Sequence, residues 1–117
     1  MSRRDIELLL LDMKESAEKI LKYTKEMSFD DFLADEKTID AVVRNFEIIG
    51  EASIRVDDDF KLDNPQIEWR SLRGFRNRIV HEYFGIDYEI IWSIIVTDIE
   101  ELIFQLSELL NNGKKEK

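Results

Sequence analysis

Apolar residues recur at intervals of three and four along most of the chain, and most of these runs follow a residue that starts helices. Ile6, Leu9, Leu10, Met13, Ala17, Ile20 and Leu21 line one face of a first helix that the spacing ends near Met27, with Ser2 and Asp5 placed as a capping pair at its start. Ser28 and Asp31 repeat the start signal, and Phe29, Phe32 and Leu33 supply one short apolar turn, expected to cap the helix just finished. After Asp35 a second helix carries Ile39, Val42, Val43, Phe46, Ile49 and Ser53 on one face, with Arg44, Glu47, Glu51 and Arg55 around the others. Gly50 lies inside it. A mid-helix glycine costs about 1 kcal/mol relative to alanine, so close approach of another helix or of a ligand must justify it, packing being the commoner reason.

Residues 57–59, all aspartate, break the period, and the connection closes at Asp63, Asn64 and Pro65. Pro65 fits the first turn of a third helix with Asn64 as its cap. From Ile67 onward Leu72, Phe75, Ile79 and Tyr83 repeat every three or four residues, and Gly85 supplies a left-handed stop. Asp87 caps a fourth helix whose stripe is Ile91, Ile94, Ile95, Ile99, Leu102, Ile103, Leu106, Leu109 and Leu110, widened by Trp92 and Phe104 and ended by Asn111, Asn112 and Gly113. No run has strand period. The pattern predicts an all-α chain, an antiparallel four-helix bundle with an extra short helical turn, forming a single domain over residues 1–113 with a short charged tail over 114–117. The apolar arc of the fourth helix is wide for a small monomer, which predicts self-association there or on the first helix, hence a homodimer or a larger oligomer.

Composition narrows the function. The 117 residues carry 17 Lys plus Arg against 26 Asp plus Glu, a formal charge of -9, so non-specific attachment to nucleic acid or to an anionic membrane is unfavourable and any nucleic-acid contact has to be local. The absence of cysteine excludes disulfides and thiolate metal sites, the single histidine argues against a zinc site, and neither a metal nor another cofactor is expected. No signal peptide or membrane span is visible, so the cytoplasm is the expected location.

The exception to the acidic balance is residues 70–84. Arg70, Arg73, Arg76 and Arg78, half of the arginines, fall there and run into His81, the single histidine, with Tyr83 two residues on. Guanidinium groups beside a side chain that titrates near neutral pH make a candidate anion site, and arginine suits forked recognition of phosphate or carboxylate. At the C-terminal end of its helix, His81 would have its cation favoured by about 0.3 to 1 kcal/mol through the helix dipole. Cleavage of RNA without a metal needs a proton acceptor for the ribose 2′-hydroxyl, a donor for the leaving oxygen and a cation for charge on phosphorus, most of which one histidine and one arginine supply. By residue type alone, the commoner reading is a packing or capping histidine, a solvated arginine face and a core tyrosine. Arg76 and His81, five residues apart, would point about 140° from each other on a straight helix. Either the helix is distorted before Gly85, or a second copy of the chain completes the site.

The run Arg76, Asn77, Arg78, Ile79, Val80, His81, Glu82, Tyr83 resembles the Arg-x4-His-x-Tyr signature of the HEPN superfamily, and specifically of HepT-like proteins. The likeness extends to residues 40–52, to residues 69–74 around Trp69, and to Trp92. The resemblance implies a dimeric helical bundle acting as a metal-independent endoribonuclease toxin of a type VII-like toxin-antitoxin pair. Arg76 and His81 would be the catalytic pair, with Asn77 and Arg73 in support. It also implies a cognate minimal nucleotidyltransferase antitoxin that adds AMP to the motif tyrosine, Tyr83, where a nucleotide would crowd and repel RNA. A non-catalytic subunit that holds a nucleotide or substrate for such a nucleotidyltransferase is the alternative.

Overall fold

The computed structural model describes residues 1–81 and 85–115, apart from the side chains of Arg76, Val80, His81, Lys114 and Lys115. Among the described residues there are eight helical segments and one two-stranded ladder, so the chain is mostly helical. Local start signals place most of the helices. Ser2 Oγ accepts from the Asp5 N–H at the head of α1 (Arg3–Thr24), and Ser28 with Asp31 forms a reciprocal capping box on α2 (Phe29–Leu33). An Asp35 carboxylate oxygen accepts from the Thr38 N–H and starts α3 (Glu36–Arg55). The first helix ends three residues earlier than its spacing predicts, at Thr24, because Glu26 takes a left-handed φ of 63°.

The polar connection after α3 is itself helical. Asp57 caps α4 (Asp58–Asp63), and Asn64 serves as its C-terminal cap, its side-chain amide donating to the Phe60 carbonyl at 2.9 Å. Asn64 therefore does not start the third helix as predicted. That helix begins at Trp69 with Glu68 before it, as α5 (Trp69–Arg73) and, after Gly74, α6 (Phe75–Ile79). The predicted fourth helix is likewise two segments, α7 (Tyr88–Thr97) behind its Asp87 cap and α8 (Ile99–Lys115). At the junction the Thr97 hydroxyl donates to the Ser93 carbonyl at 2.6 Å, a local bond that disturbs helices.

Burial follows the predicted stripes. Leu10, Met13, Ala17 and Ile20 of α1 meet Val42, Phe46 and Ile49 of α3 and Ile99, Leu102 and Leu106 of α8 in one core. The helix α1 packs on α3 and α8, while α5 and α6 lie on α3, and α7 contacts both α6 and α8. The short α2 lies against α3, with Phe29 and Phe32 stacked on Trp92 of α7, and so braces those helices. Phe104, expected to widen the α8 stripe, is 60% exposed and points outward. Gly113 does not stop α8. It is buried because the Arg3 guanidinium fills the space where a β-carbon would stand, and Arg3 Nη2 also reaches the Leu109 carbonyl at 3.4 Å. No helix among the described residues is long and apolar enough to cross a membrane.

Candidate functional site

The segment carrying the arginines is held by its apolar face. Leu72, Phe75 and Ile79 are buried, and Phe75 meets Phe46 of α3 edge-on at 5.1 Å between ring centroids. At the head of the segment the Trp69 indole N–H donates to the Asn64 carbonyl at 2.9 Å, and the Lys61 ammonium lies over its ring at 5.9 Å. The α-type bonds continue across Gly74, from its N–H to Arg70 and from the Arg78 N–H to Gly74, so α5 and α6 share one helical frame. With 72, 75 and 79 turned inward, residues 70, 73 and 77 lie together on the opposite, solvent side.

Those three side chains line a groove of about 490 Å³ between α3 and the α5–α6 rod. Arg70, Arg73 and Asn77 form one wall, Glu47, Glu51 and Ile54 of α3 the other, and Gly50 and Gly74 the floor. Gly50 is explained by packing: a β-carbon there would meet the Leu72 carbonyl oxygen at 3.2 Å. Arg78 faces away, into a second groove of about 350 Å³ with Glu68, Asp98 and Glu101 among its lining. The arginines predicted to form one cluster are thus divided between two sides of the same helical rod. Among the described residues none of Arg70, Arg73 and Arg78 makes an ion pair, although acidic side chains line both grooves.

After Ile79 the backbone leaves the helix. Val80 and His81 form β1 (Val80–His81), antiparallel to β2 (Gly85–Ile86), with Val80 opposite Ile86 and His81 opposite Gly85. His81 is therefore two residues beyond the helix end, not on its last turn, and the helix-dipole argument and the 140° separation both lapse. Of the two expectations that could bring Arg76 and His81 together, a break before Gly85 is the one observed. Gly85 has a φ of 77°, the left-handed conformation predicted for it, but as the return of a ladder rather than a helix stop. The backbone of Arg76 lies in α6; its side chain, that of His81, and the whole of Tyr83 lie outside the described residues. The predicted supporting residues Asn77 and Arg73 share the first groove. Arg70, one of the arginines of the candidate anion site, joins them there, as do Glu51 and Ile54, which were not singled out for a site, and mid-helix Gly50 was the signal that something lies close to α3 at that point. Among the described residues no group of three or more His, Cys, Asp or Glu side chains is arranged to hold a metal ion.

Comparison with known proteins bears directly on this segment. A family model described as "Ribonuclease HepT-like" matches residues 13–109. A protein of Methanocaldococcus jannaschii named "Putative RNase MJ0127" is 38% identical over 112 residues, covering 96% of this chain and 93% of that one. The "Probable ribonuclease HepT" of Thermococcus cleftensis is 44% identical over 93 residues, 80% of this chain and 84% of its own. No solved structure matches. A helical chain whose arginine-bearing rod turns into a histidine-bearing ladder, matched by that family along most of its length, belongs to the HepT-like ribonucleases.

Proposed function

We propose that this ribonuclease cleaves RNA internally and without a metal, using Arg76 and His81, with Asn77 and Arg73 in support. In the reaction the His81 imidazole takes the proton of a ribose 2′-hydroxyl. The 2′-oxygen then forms a bond to the adjacent phosphorus as the bond from phosphorus to the 5′-oxygen breaks, and a proton is delivered to that leaving oxygen. The Arg76 guanidinium balances the charge that grows on the phosphoryl oxygens. The observation that carries this reading is the position of the His81 backbone, just past the end of the helix that bears Arg76 and opposite a left-handed glycine. Conversion of total RNA by the purified chain, compared with His81→Ala and Arg76→Ala, is the test. Each substitution should abolish cleavage with the fold intact, and a chelator should leave the native chain's rate unchanged. Full cleavage by the His81→Ala chain overturns the mechanism.

In the same reading the chain is an antiparallel four-helix bundle that works as a cytoplasmic dimer, with the cleft shared between copies. Leu8 and Leu11 of α1 and Phe104 of α8 support this, being large apolar side chains exposed on two helices that pack together. The chain acts as a toxin whose partner is a minimal nucleotidyltransferase. That enzyme joins the Tyr83 phenolic oxygen to the α-phosphorus of ATP, with release of pyrophosphate and the phenolic proton, and the attached AMP excludes RNA. Mass spectrometry of the chain made with and without that partner tests the modification at Tyr83.

A further inference from the structure

We propose that the groove between α3 and the α5–α6 rod is a subsite for a nucleotide flanking the cleaved bond, which binds one strand of RNA with its backbone on Arg70 and Arg73. The inference rests on the ribonuclease reading and adds to it which strand form is bound and which side chains hold it. Three observations carry it. The first is charge: in a chain of net charge -9, Arg70 and Arg73 lie exposed on one wall without an ion pair among the described residues. Arg44 on the facing helix pairs with Glu47 at 3.9 Å, whereas Arg70 and Arg73 reach no carboxylate among the described residues although Glu47 and Glu51 line the same groove. Two guanidinium groups left open, three residues apart on one helical face, are spaced for successive contacts along a phosphate backbone.

The second observation is the unlike character of the opposite wall. Glu51 and the already paired Glu47 repel phosphate, whereas Ile54, 55% exposed with no role in the core, offers an apolar surface. A nucleotide therefore lies across the groove in one sense, phosphate toward α5 and base toward Ile54. A second phosphate backbone, as a duplex would bring, has to face the carboxylates. The groove selects a single strand on this ground. The third observation is position. Arg70, Arg73 and Asn77 span about 10 Å along the rod, and that line leads to the helix end beyond which His81 stands. RNA held there is delivered lengthwise to the motif.

The experiment uses the full chain carrying His81→Ala, so that RNA survives titration, and a labelled single-stranded oligoribonucleotide read by fluorescence anisotropy over a range of salt. Adding Arg70→Gln and Arg73→Gln should weaken binding about tenfold for each and flatten the plot of log affinity against log salt by about 1.4 in slope for the pair. A duplex of the same sequence should compete poorly. Glu51→Gln should improve duplex competition without weakening the single strand. Both arginines are exposed, so melting of the variants by circular dichroism should match the parent. If the parent binds RNA and the double arginine variant binds it equally well with the same salt slope, the subsite is overturned and the ribonuclease reading stands. If the parent binds no RNA at all, both fall.

Discussion

The Asp87 backbone N–H donates to the Ile79 carbonyl at 2.7 Å, tying the residue that caps α7 to the last residue of α6. The two ends of the segment 80–86 are thereby held together, and the ladder between Val80 and Ile86 extends the tie by one step. The backbone of His81 lies in the ladder next to that tie, opposite Gly85, so its placement depends on the ladder's backbone.

Gly85 enters the ladder opposite His81 at φ 77°, and a β-carbon there meets nothing within 4 Å among the described residues. Gly85→Ala isolates the backbone effect, a left-handed alanine costing about 1 kcal/mol or slightly more with no clash added. Global stability measured by urea unfolding should fall by that amount. RNA cleavage should fall further than the loss of folded protein explains, since the strain is released where His81 sits. Unchanged activity in the variant would separate the ladder from catalysis.

Glu26 presents the opposite case. It holds φ 63° at the end of α1 with a side chain that disfavours that conformation. Glu26→Gly removes the conflict at a position where glycine is the usual helix-ending residue, and should stabilise the chain by up to about 1 kcal/mol after the greater freedom of glycine in the unfolded chain is counted. The readout is a higher urea midpoint with an unchanged slope, and a lower midpoint would show that Glu26 makes a contribution the backbone does not reveal.

Much of this fold was legible because its signals are local. Ser2, Ser28 and Asp87 each cap the helix they were read as starting, and Asp35 caps the one read as beginning after it, since the bond involved spans three residues and needs no tertiary partner. The misreadings occur where another bond or a packed group takes over a local signal. Asn64 and Pro65 have the chemistry of a helix start, but the Asn64 side chain turns back onto Phe60 while its carbonyl receives the Trp69 indole. Gly113 reads as a stop, yet Arg3, far away in sequence, occupies the space beside it and the helix runs on. The candidate site shows the same division. The arginine-rich stretch stands out in any reading of charge, and burial of Leu72, Phe75 and Ile79 matches their spacing. Periodicity carried through to Tyr83, by contrast, hid the exit into a ladder, because two extended residues between Ile79 and the return at Gly85 leave no pattern of their own.

At Gly50 two effects of similar size oppose one another. Alanine improves helix propensity by about 1 kcal/mol, but its β-carbon would stand 3.2 Å from the Leu72 carbonyl oxygen, so the backbone of α5 has to retreat by a few tenths of an ångström. Because α5 is a five-residue helix on the side of α3, it can retreat more cheaply than a core helix. Gly50→Ala should therefore leave stability within about 1 kcal/mol of the native chain while weakening RNA binding, because Arg70 and Arg73 move with α5. Urea unfolding and RNA titration of the same preparation check the two halves. A variant that is markedly destabilised would show α5 to be as rigidly held as the core.

Acid should find a weak point at the start of α3. The Asp35 carboxyl is held below its ordinary value, chiefly by the hydrogen bond from the Thr38 backbone N–H, which reaches it at 3.1 Å, then by the Thr38 hydroxyl and the charge of Lys37. A carboxyl whose folded value is depressed favours folding only in its ionised form. Its stabilising effect is thus complete above the unfolded value, near 3.8, and is lost as pH falls through the lower folded value. Asp35→Ala should therefore melt a few degrees below the native chain at pH 7, and the gap should narrow as the pH is taken below the unfolded value and through the lower folded one, where the native carboxylate gains its proton. Melting curves for both chains from pH 7 down to the acid transition check this, and a gap that stays constant across that range would mean the cap acts through its shape and not its charge.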